Sequence, residues 1–254
     1  MTSAPLRIAL AQSVSVPGDV DANARRAAAI IADAAARGAH LVAFPELSLT
    51  GYEPALLAET PGAWLVEGDA RLDPVRRACA TSGVTAILGA PLRTRDGARS
   101  IAAPVVGPGG DVGVSTKEHV HASESALYTP GSALAPFDVN GWRIAVAICF
   151  DTAHPRHAER AAGRGADVYV SSSLYWQGEE RRCDLHLGAR AMDNRIFAVL
   201  ANHAGTTGGH RSCGMSGAWG PRGNVLARAS GTDEALVVVD LDPGDLRPFR
   251  ARTA

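Results

Sequence analysis

Cysteine is scarce in this sequence, and the few cysteines are not paired. The 254 residues include four of them, Cys79, Cys149, Cys183 and Cys213, which lie far apart and form no CxxC motif. Disulfide frameworks are typical of short secreted chains that are rich in cysteine, and a zinc-binding clip is typically built from closely spaced cysteine pairs. We therefore expect four reduced thiols, a cytoplasmic location and no structural metal.

An excess of charge is also missing. Lysine and arginine number 25 and aspartate and glutamate 26, which gives a formal net charge of -1 at pH 7. Such a chain has no overall positive field, so a nucleic acid or an anionic membrane surface is not an expected partner. No apolar run approaches the roughly 18 to 20 residues that span a bilayer, so a membrane-spanning segment is not expected either.

The sequence does contain a regular alternation of two patterns. Short β-branched apolar runs, such as Leu6 to Ala11 and Leu41 to Phe44, alternate with alanine-rich helical stretches, which is typical of an α/β layer architecture. Hydrophobic residues make up 46% and charged residues 20% of the chain, as in globular proteins with a sizeable core. No linker, repeat or low-complexity segment interrupts the pattern, so we predict one domain over residues 1–254.

Local signals place the individual elements. Asp19 or Asp21 is a candidate N-cap for a first helix that ends at Arg37, before Gly38. Asp73 starts a second helix that should end near Gly83, since the proline after Asp73 suits a first helical turn. The other predicted elements are strands over residues 84–90, 100–106, 112–117, 137–139, 142–148, 168–171, 196–202, 215–219, 225–229 and 235–241, and helices over residues 155–164 and 179–194.

Three chemically capable side chains stand where predicted strands end. They are Glu46, Lys117 and Cys149. Taken singly, each has an ordinary interpretation, as a loop-capping carboxylate, a solvent-facing lysine and a buried structural cysteine. Strand ends can converge at one edge of a sheet, where ligand sites of α/β proteins lie. The three together therefore predict a site.

The settings of Cys149 and Glu46 also suit chemistry. Cys149 lies between a buried strand and a helix that starts at about Pro155. A helix N-terminus offers the positive end of a dipole and free amide donors, which favour a thiolate and can hold an oxyanion. Glu46 has apolar neighbours on both sides, so its carboxylate needs a partner or a raised pKa, and either suits a general base.

Three segments carry a resemblance to a known family. Phe44 to Tyr52 reads FPELSLTGY, Lys117 to His119 reads KEH, and Ala147 to Asp151 reads AICFD. In order and spacing they resemble the signature segments of the nitrilase, or carbon-nitrogen hydrolase, superfamily, and the resemblance covers nearly the whole chain. It implies an α/β fold, a four-layer αββα sandwich, which is usually paired through helices into a homodimer or a larger homo-oligomer.

The resemblance implies roles for individual residues. Cys149 is implied as the nucleophile, Glu46 as the proton-transfer base, and Lys117 with the Phe150 backbone N–H as the oxyanion stabiliser. Glu124 falls where the family carries a second glutamate that orders the lysine and the substrate. Two positions depart from the family pattern. Arg156 lies where glutamate often follows proline, so substrate contacts or a dimer-interface pair are expected to differ there, and Asp193 replaces the glutamate that usually precedes Asn194, with a structural effect only.

The segment around Cys149 resembles amidase-like branches of the family more than true nitrilases, because phenylalanine and aspartate follow the cysteine instead of tryptophan and glutamate. The implied reaction is hydrolysis of a small linear amide through a cysteine thioester, without a cofactor. Tyr52, Phe150 and Trp176 are candidate substrate-binding residues. N-carbamoyl amino acids or ureido acids are an alternative substrate class. Related branches commonly take substrates with a carboxylate, such as omega-amides of dicarboxylic acids or N-carbamoyl acids, and the candidates for a carboxylate clamp are Arg156, Arg181, Arg182 and Arg211.

Other function classes have weaker support in the sequence. Its histidines, among them His119, His154 and His203, show no spacing that is known to hold a catalytic metal. Ser216 lies in a GMSGA segment that lacks the last glycine of GxSxG. A non-catalytic binding or scaffold member of the same fold remains open as an alternative of a different class.

Overall fold

Two β-sheets organise the chain in a computed structural model that describes residues 4–250. The strands are β1 (Leu6–Gln12), β2 (Leu41–Ala43), β3 (Thr85–Ile87), β4 (Ala90–Arg93), β5 (Arg99–Gly107), β6 (Gly110–Thr116), β7 (Phe137–Val139), β8 (Trp142–Ile148), β9 (Val168–Ser173), β10 (Phe197–Asn202), β11 (Thr206–Thr207), β12 (His210–Arg211), β13 (Gly217–Trp219), β14 (Val225–Arg228) and β15 (Ala235–Leu241). The helices are α1 (Val20–Ala36), α2 (Pro54–Glu59), α3 (Asp73–Ser82), α4 (Pro155–Gly163), α5 (Glu180–Asn194) and α6 (Arg247–Arg250). Residues 1–3 and 251–254, the two ends of the predicted domain, lie outside the described residues. The prediction of a single domain over residues 1–254 stays a prediction.

Each sheet has a parallel centre and antiparallel edges. In the first sheet the strand order is β15-β1-β2-β3-β5. β3 and β4 pair with different parts of the same edge of β5, and β6 pairs with its other edge. β1, β2 and β3 are parallel there. The second sheet has the order β14-β13-β10-β9-β8-β7, with β8, β9 and β10 parallel. Loops at the ends of parallel strands are where α/β proteins build ligand sites.

The two sheets pack face to face through alternating side chains. Leu6, Ile8 and Leu10 of β1 lie in the cluster between the sheets, together with Val146 of β8 and Val199 of β10. All five are buried. Because successive side chains of a strand point to opposite faces, the intervening residues of β1 face away from this cluster. Burying such side chains stabilises the fold by roughly 1.5 to 3 kcal/mol each.

Helices cover the outer face of each sheet. Ala24 and Ile31 of α1 and Val75 of α3 pack on the first sheet. On the second sheet, Leu187 of α5 packs near β10 and Ala158 of α4 packs on β8 and β9. The order of layers is helix, sheet, sheet, helix, which confirms the predicted four-layer αββα sandwich. No helix within residues 4–250 combines the length and apolarity needed to cross a membrane.

Several local predictions are confirmed by the backbone. Asp19, and not Asp21, caps α1, since its carboxylate accepts a hydrogen bond from the Ala22 N–H at 2.9 Å. Gly38 follows that helix with a φ of 77°. Gly83 ends α3 in the left-handed conformation with a φ of 75°, which glycine adopts without a Cβ clash.

Two strand predictions are wrong in extent. The strand predicted over residues 84–90 is broken, with β3 ending at Ile87 and β4 starting at Ala90. Gly89 lies in the break against the turn after β2, where an added Cβ would be 2.1 Å from the Pro45 carbonyl oxygen. The strand predicted from Met215 starts at Gly217 instead, because Met215 has a φ of 70° and cannot continue an extended strand. Four short elements were not predicted: α2, α6 and the hairpin strands β11 and β12.

Candidate active site

A cavity opens where the chain leaves β2, β6 and β8, with roughly 490 Å³ of empty space including its mouth. The structure brings together in its lining every site residue that the sequence predicted: Glu46, Tyr52, Lys117, Glu124, Cys149, Phe150 and Trp176. These residues come from distant parts of the chain, so the convergence is a property of the fold.

The backbone of Glu46 is held from two sides. The turn after β2 approaches Gly89, whose missing side chain leaves room for the Pro45 carbonyl and the Leu47 amide. From the second sheet, His203 places its Nε2 2.6 Å from the Glu46 carbonyl oxygen. A carbonyl oxygen only accepts, so Nε2 carries the proton and donates it. His203 is fully buried, and burial lowers its pKa to about 4, so the ring is neutral at pH 7.

The carboxylate of Glu46 is buried, and only one of its two oxygens accepts a hydrogen bond at ordinary distance and angle. One oxygen, Oε1, accepts a hydrogen bond from Lys117 Nζ at 2.8 Å. Within residues 4–250 its other oxygen, Oε2, has no hydrogen-bond partner at ordinary distance and angle, although the Cys149 thiol is near enough to this carboxyl to lower its pKa. Burial raises the pKa of Glu46 to about 7, against the opposing charge of Lys117 and with the help of the Glu124 charge. The expectation that this carboxylate has a partner or a raised pKa is confirmed on both counts.

Lys117 lies between two carboxylates. Its Nζ is 2.8 Å from Glu46 Oε1 and 2.8 Å from both oxygens of Glu124. Burial opposes the charge of Lys117, but Glu46, Cys149 and Glu124 outweigh it and raise the pKa above its ordinary value. Lys117 is therefore an ammonium ion, and its 1% exposure excludes the solvent-facing interpretation of this residue.

Glu124 is fully engaged in the site. Besides Lys117, its carboxylate accepts hydrogen bonds from the Tyr52 hydroxyl at 2.9 Å and from the His121 backbone N–H at 2.8 Å. Glu124 thus fixes the lysine, and it also fixes the aromatic ring of Tyr52 in the cavity wall.

Cys149 begins a sharp turn directly after β8. The residue has a φ of 44°, an uncommon conformation for a residue with a side chain. A single 3₁₀ turn, Cys149–Ala153, follows, and Thr152 Oγ1 donates to the Cys149 carbonyl at 2.7 Å. The thiol lies 3.6 Å from the Leu174 carbonyl oxygen. This turn directs the side chain of Cys149 into the cavity and excludes sealed core packing.

The thiol of Cys149 is protonated in the resting site. Burial raises its pKa well above the ordinary value, the negative charges of Glu46 and Glu124 add to the rise, and Lys117 opposes it. The expectation that a nearby helix start favours the thiolate is therefore wrong. The α-helix begins only at Pro155, and burial is the largest cause of the raised pKa.

The comparisons with known proteins agree with this geometry. Residues 7–251 match the family described as carbon-nitrogen hydrolase. The chain belongs to the carbon-nitrogen hydrolase family. It is 30% identical to a nitrilase from Pyrococcus abyssi over 87% of this chain and 84% of that protein. It is 27% identical to an omega-amidase from Homo sapiens over 98% of this chain and 92% of that protein.

A solved structure is similar to this carbon-nitrogen hydrolase over its whole length. It is a mutant of the amidase from Nesterenkonia sp. AN1 that shows covalent addition of the acetamide moiety of fluoroacetamide at the active site cysteine. The two chains are 28% identical with a TM-score of 0.86, and the match covers 100% of this chain and 97% of that chain.

In this carbon-nitrogen hydrolase one further carboxylate joins the lysine segment to the cysteine turn. Asp151 Oδ1 accepts a hydrogen bond from the His119 backbone N–H at 2.9 Å, and Oδ2 accepts one from the Ile148 N–H at 3.1 Å. Asp151 is 1% exposed. No site role was predicted for Asp151 from the sequence. Its acidic side chain in an apolar segment, two residues after Cys149, is the signal that could have indicated such a role.

One wall of the hydrolase cavity is aromatic and another is polar. Tyr52 and Trp176 meet edge to face with ring centroids 6.4 Å apart. The polar lining includes residues that the sequence reasoning missed, namely His121, Thr152, Tyr175, Glu179 and His186. Glu179, Arg182 and His186 recur three and four residues apart at the start of α5, a helical spacing that puts them on one face.

The four candidate arginines differ in their positions. Arg182 lines the cavity, but its guanidinium is 2.6 Å from Glu179 and so is already paired. Arg156, Arg181 and Arg211 are absent from the described lining of the cavity. In residues 4–250, no group of three or more histidine, cysteine, aspartate or glutamate side chains is arranged to hold a metal ion.

Proposed function

We propose that this hydrolase cleaves the carbon-nitrogen bond of small linear amides through a thioester on Cys149. The observation that carries the proposal is the meeting in one cavity of the Cys149 thiol, an ammonium at Lys117 and a carboxylate at Glu46 with one unpartnered oxygen. These are a nucleophile, a charge stabiliser and a base, the three groups that acyl transfer needs.

In the first step Glu46 takes the proton of the Cys149 thiol, and the sulfur attacks the amide carbonyl carbon. A carbon-sulfur bond forms while the electron pair of the carbonyl moves to oxygen. Lys117 and the Phe150 backbone N–H stabilise this oxyanion, and removing one such donor in other enzymes costs on the order of 2.7 to 4 kcal/mol. A pKa of about 7 at Glu46 suits a base that works near neutral pH.

In the second step the tetrahedral intermediate collapses. Glu46 gives its proton to the nitrogen, the carbon-nitrogen bond breaks, and ammonia or an amine leaves a thioester behind. Glu46 then deprotonates a water molecule that attacks the thioester carbon. The carbon-sulfur bond then breaks and Glu46 returns its proton to the sulfur. The products are a carboxylic acid and the Cys149 thiol, so the groups of the site return to their resting protonation states.

Two relatives support amides as substrates. The Nesterenkonia relative is an amidase with a reactive active-site cysteine, and the human relative is an omega-amidase. N-carbamoyl acids are the weaker alternative, because their carboxylate needs a free cation and Arg182 is held by Glu179. A non-catalytic role is also weaker, because a buried lysine between two buried glutamates is costly to retain without a use.

The proposal extends to assembly and location. A homodimer, which the family resemblance implies, is supported by the exposed Leu185 and Met192, which lie seven residues apart on one face of α5. All four cysteines are free, which suits a cytoplasmic location. Light scattering after size exclusion tests the dimer, and a monomeric mass at micromolar concentration would exclude it.

The test of function is ammonia release from a panel of short aliphatic amides, nitriles and N-carbamoyl acids. We expect turnover of the amides and none by a Cys149→Ala variant. With a slow amide, intact mass spectrometry of a Glu46→Gln variant should show an acyl adduct on Cys149. A correctly folded protein that releases no ammonia from any compound and forms no adduct would favour the binding or scaffold role.

A further inference from the structure

A chain of hydrogen bonds in the cavity wall has no part in the reaction above. Thr152 Oγ1 donates to the Cys149 carbonyl at 2.7 Å and lies 2.8 Å from the Tyr175 hydroxyl. That hydroxyl in turn lies 3.0 Å from His186 Nδ1. Thr152, Tyr175 and His186 all line the cavity, so the chain runs from the backbone of Cys149 to an imidazole ring in the cavity wall.

The chain has only one consistent direction. The Thr152 hydroxyl has a single hydrogen, and the Cys149 carbonyl uses it because a carbonyl cannot donate. Tyr175 must then donate its own hydrogen to Thr152 Oγ1. With its hydrogen used, the Tyr175 oxygen can only accept from the histidine, so His186 carries its proton on Nδ1.

His186, a lining residue of the cavity, therefore carries a bare acceptor on its other ring nitrogen. Burial lowers the pKa of His186 to about 4, and the charges of Arg182 and Arg190 lower it further. The ring is neutral at pH 7, so its Nε2 carries a lone pair and no hydrogen. Within the part of the chain that the structure describes, Nε2 has no hydrogen-bond partner.

The polar neighbours of His186 in the cavity are already occupied. Glu179 Oε1 accepts from Arg182 at 2.6 Å, and Glu179 Oε2 accepts from the Trp176 backbone N–H at 3.3 Å. Arg182 is a donor and offers no acceptor to a ligand. His186 Nε2 is thus an acceptor in this wall that has no partner among the described residues.

We infer that His186 is a specificity-determining residue that accepts a hydrogen bond from the acyl part of the substrate. The favoured substrates are then amides whose acyl chain carries an O–H or N–H donor, such as a terminal hydroxyl. The inference rests on the proposed function and deepens it by naming a substrate class. An amide with a plain alkyl chain leaves Nε2 without a hydrogen-bond partner. An amide with a carboxylate on its acyl chain places a second acceptor beside Nε2, so both kinds of substrate are disfavoured.

The test compares amides with a terminal hydroxyl and their isosteric alkyl amides, at two chain lengths. At the better length we expect kcat/KM about tenfold higher for the hydroxyl compound, as one neutral hydrogen bond provides. His186→Phe should bring this ratio to about one or below. His186→Gln, which keeps an acceptor oxygen, should retain part of the preference.

Two further variants separate a specific role from a structural one. Tyr175→Phe removes the acceptor that fixes the tautomer of His186, so the ratio should fall although the imidazole is present. Leu185→Ala changes an exposed neighbour of His186 on α5 and should leave the ratio at its wild-type value. A ratio near one in the wild-type protein, or a preference that survives in His186→Phe, would overturn the inference.

Binding measurements keep this test apart from that of the proposed function. The dissociation constants of the same amide pairs are measured by calorimetry on a Cys149→Ala variant, which needs no turnover. Absence of turnover by the wild-type protein counts against amide hydrolysis alone. The ratio of dissociation constants, and its loss in a Cys149→Ala/His186→Phe variant, then decides the role of His186.

Discussion

Lys117 places its ammonium group 2.8 Å from both carboxylate oxygens of Glu124. A pair of this kind, almost fully removed from water, is costly to break by removing one partner, because the other charge is left buried. The pair fixes the ammonium beside Glu46 and so connects the stability of the fold with the geometry of its cavity.

Glu124→Gln should lower kcat on the order of 10²-fold, because the amide has one acceptor oxygen where the carboxylate has two and Lys117 loses its anchor. We expect the melting temperature to fall as well, since a buried charge loses its partner. Steady-state ammonia release and thermal unfolding measure the two effects. Glu59→Gln, at an exposed glutamate of α2, is the matched control, and an equal loss in both variants would contradict the role of Glu124.

The rate should rise with pH through neutrality. Glu46 has a pKa raised to about 7, and it accepts a proton only in its ionised form. Activity is therefore absent well below pH 7 and gained as pH rises through it, as Glu46 ionises. A profile of kcat/KM from pH 5 to 9 tests this, and a flat profile between pH 6 and 8 would exclude Glu46 as the base.

The stability of the fold should fall in mildly acidic solution because of His203. Its pKa is about 4 in the folded state, lowered by burial, against about 6.5 in an unfolded chain. Between pH 6.5 and 4 the unfolded state binds more protons than the folded state. The free energy of unfolding therefore falls by about 3 kcal/mol as the pH is lowered over this range. In His203→Gln, which keeps a donor for the Glu46 carbonyl, the free energy of unfolding by urea should lose about 3 kcal/mol less over this range. His210→Gln, at an exposed histidine, should keep the wild-type pH dependence, and identical slopes in all three proteins would contradict the prediction.

Gly89→Ala should damage both the fold and the site. A Cβ there would lie 2.1 Å from the Pro45 carbonyl oxygen and 2.4 Å from the Leu47 amide nitrogen, so the turn that holds Glu46 must move. We expect a loss of about 2 kcal/mol or more in the free energy of unfolding and a lower kcat. Gly163→Ala in α4 meets no atom within 4 Å and should be neutral or slightly stabilising. Chemical denaturation of both variants checks this, and wild-type stability in Gly89→Ala would show that the turn yields easily.

The other three cysteines should be dispensable for turnover. Cys79, Cys183 and Cys213 are buried in apolar clusters, and burial raises the pKa of Cys79 to about 11. Alanine at each position should cost some stability and leave kcat within about twofold. A kcat lost to the same degree as in Cys149→Ala would point to a second reactive thiol.

Much of the outer architecture followed from local sequence signals. The alternation of apolar runs predicted an α/β fold, Asp19 and Gly38 bounded α1 as expected, and the residues around Glu46, Lys117 and Cys149 indicated the family. Predictions failed where a distant segment decided the backbone. Residues 84–90 have the composition of one strand, but the turn at Pro45 occupies the space beside Gly89 and divides it.

The sequence by itself determined which residues can carry chemistry, because residue type and local strand or helix periodicity are properties of short segments. Only the tertiary structure decided the charge states of those residues and what their neighbours leave free. The raised pKa of Glu46, the protonated thiol of Cys149 and the bare nitrogen of His186 each result from burial and from partners far along the chain. Desolvation and hydrogen-bond direction depend on atoms that come together only when the two sheets pack, so no local pattern encodes them.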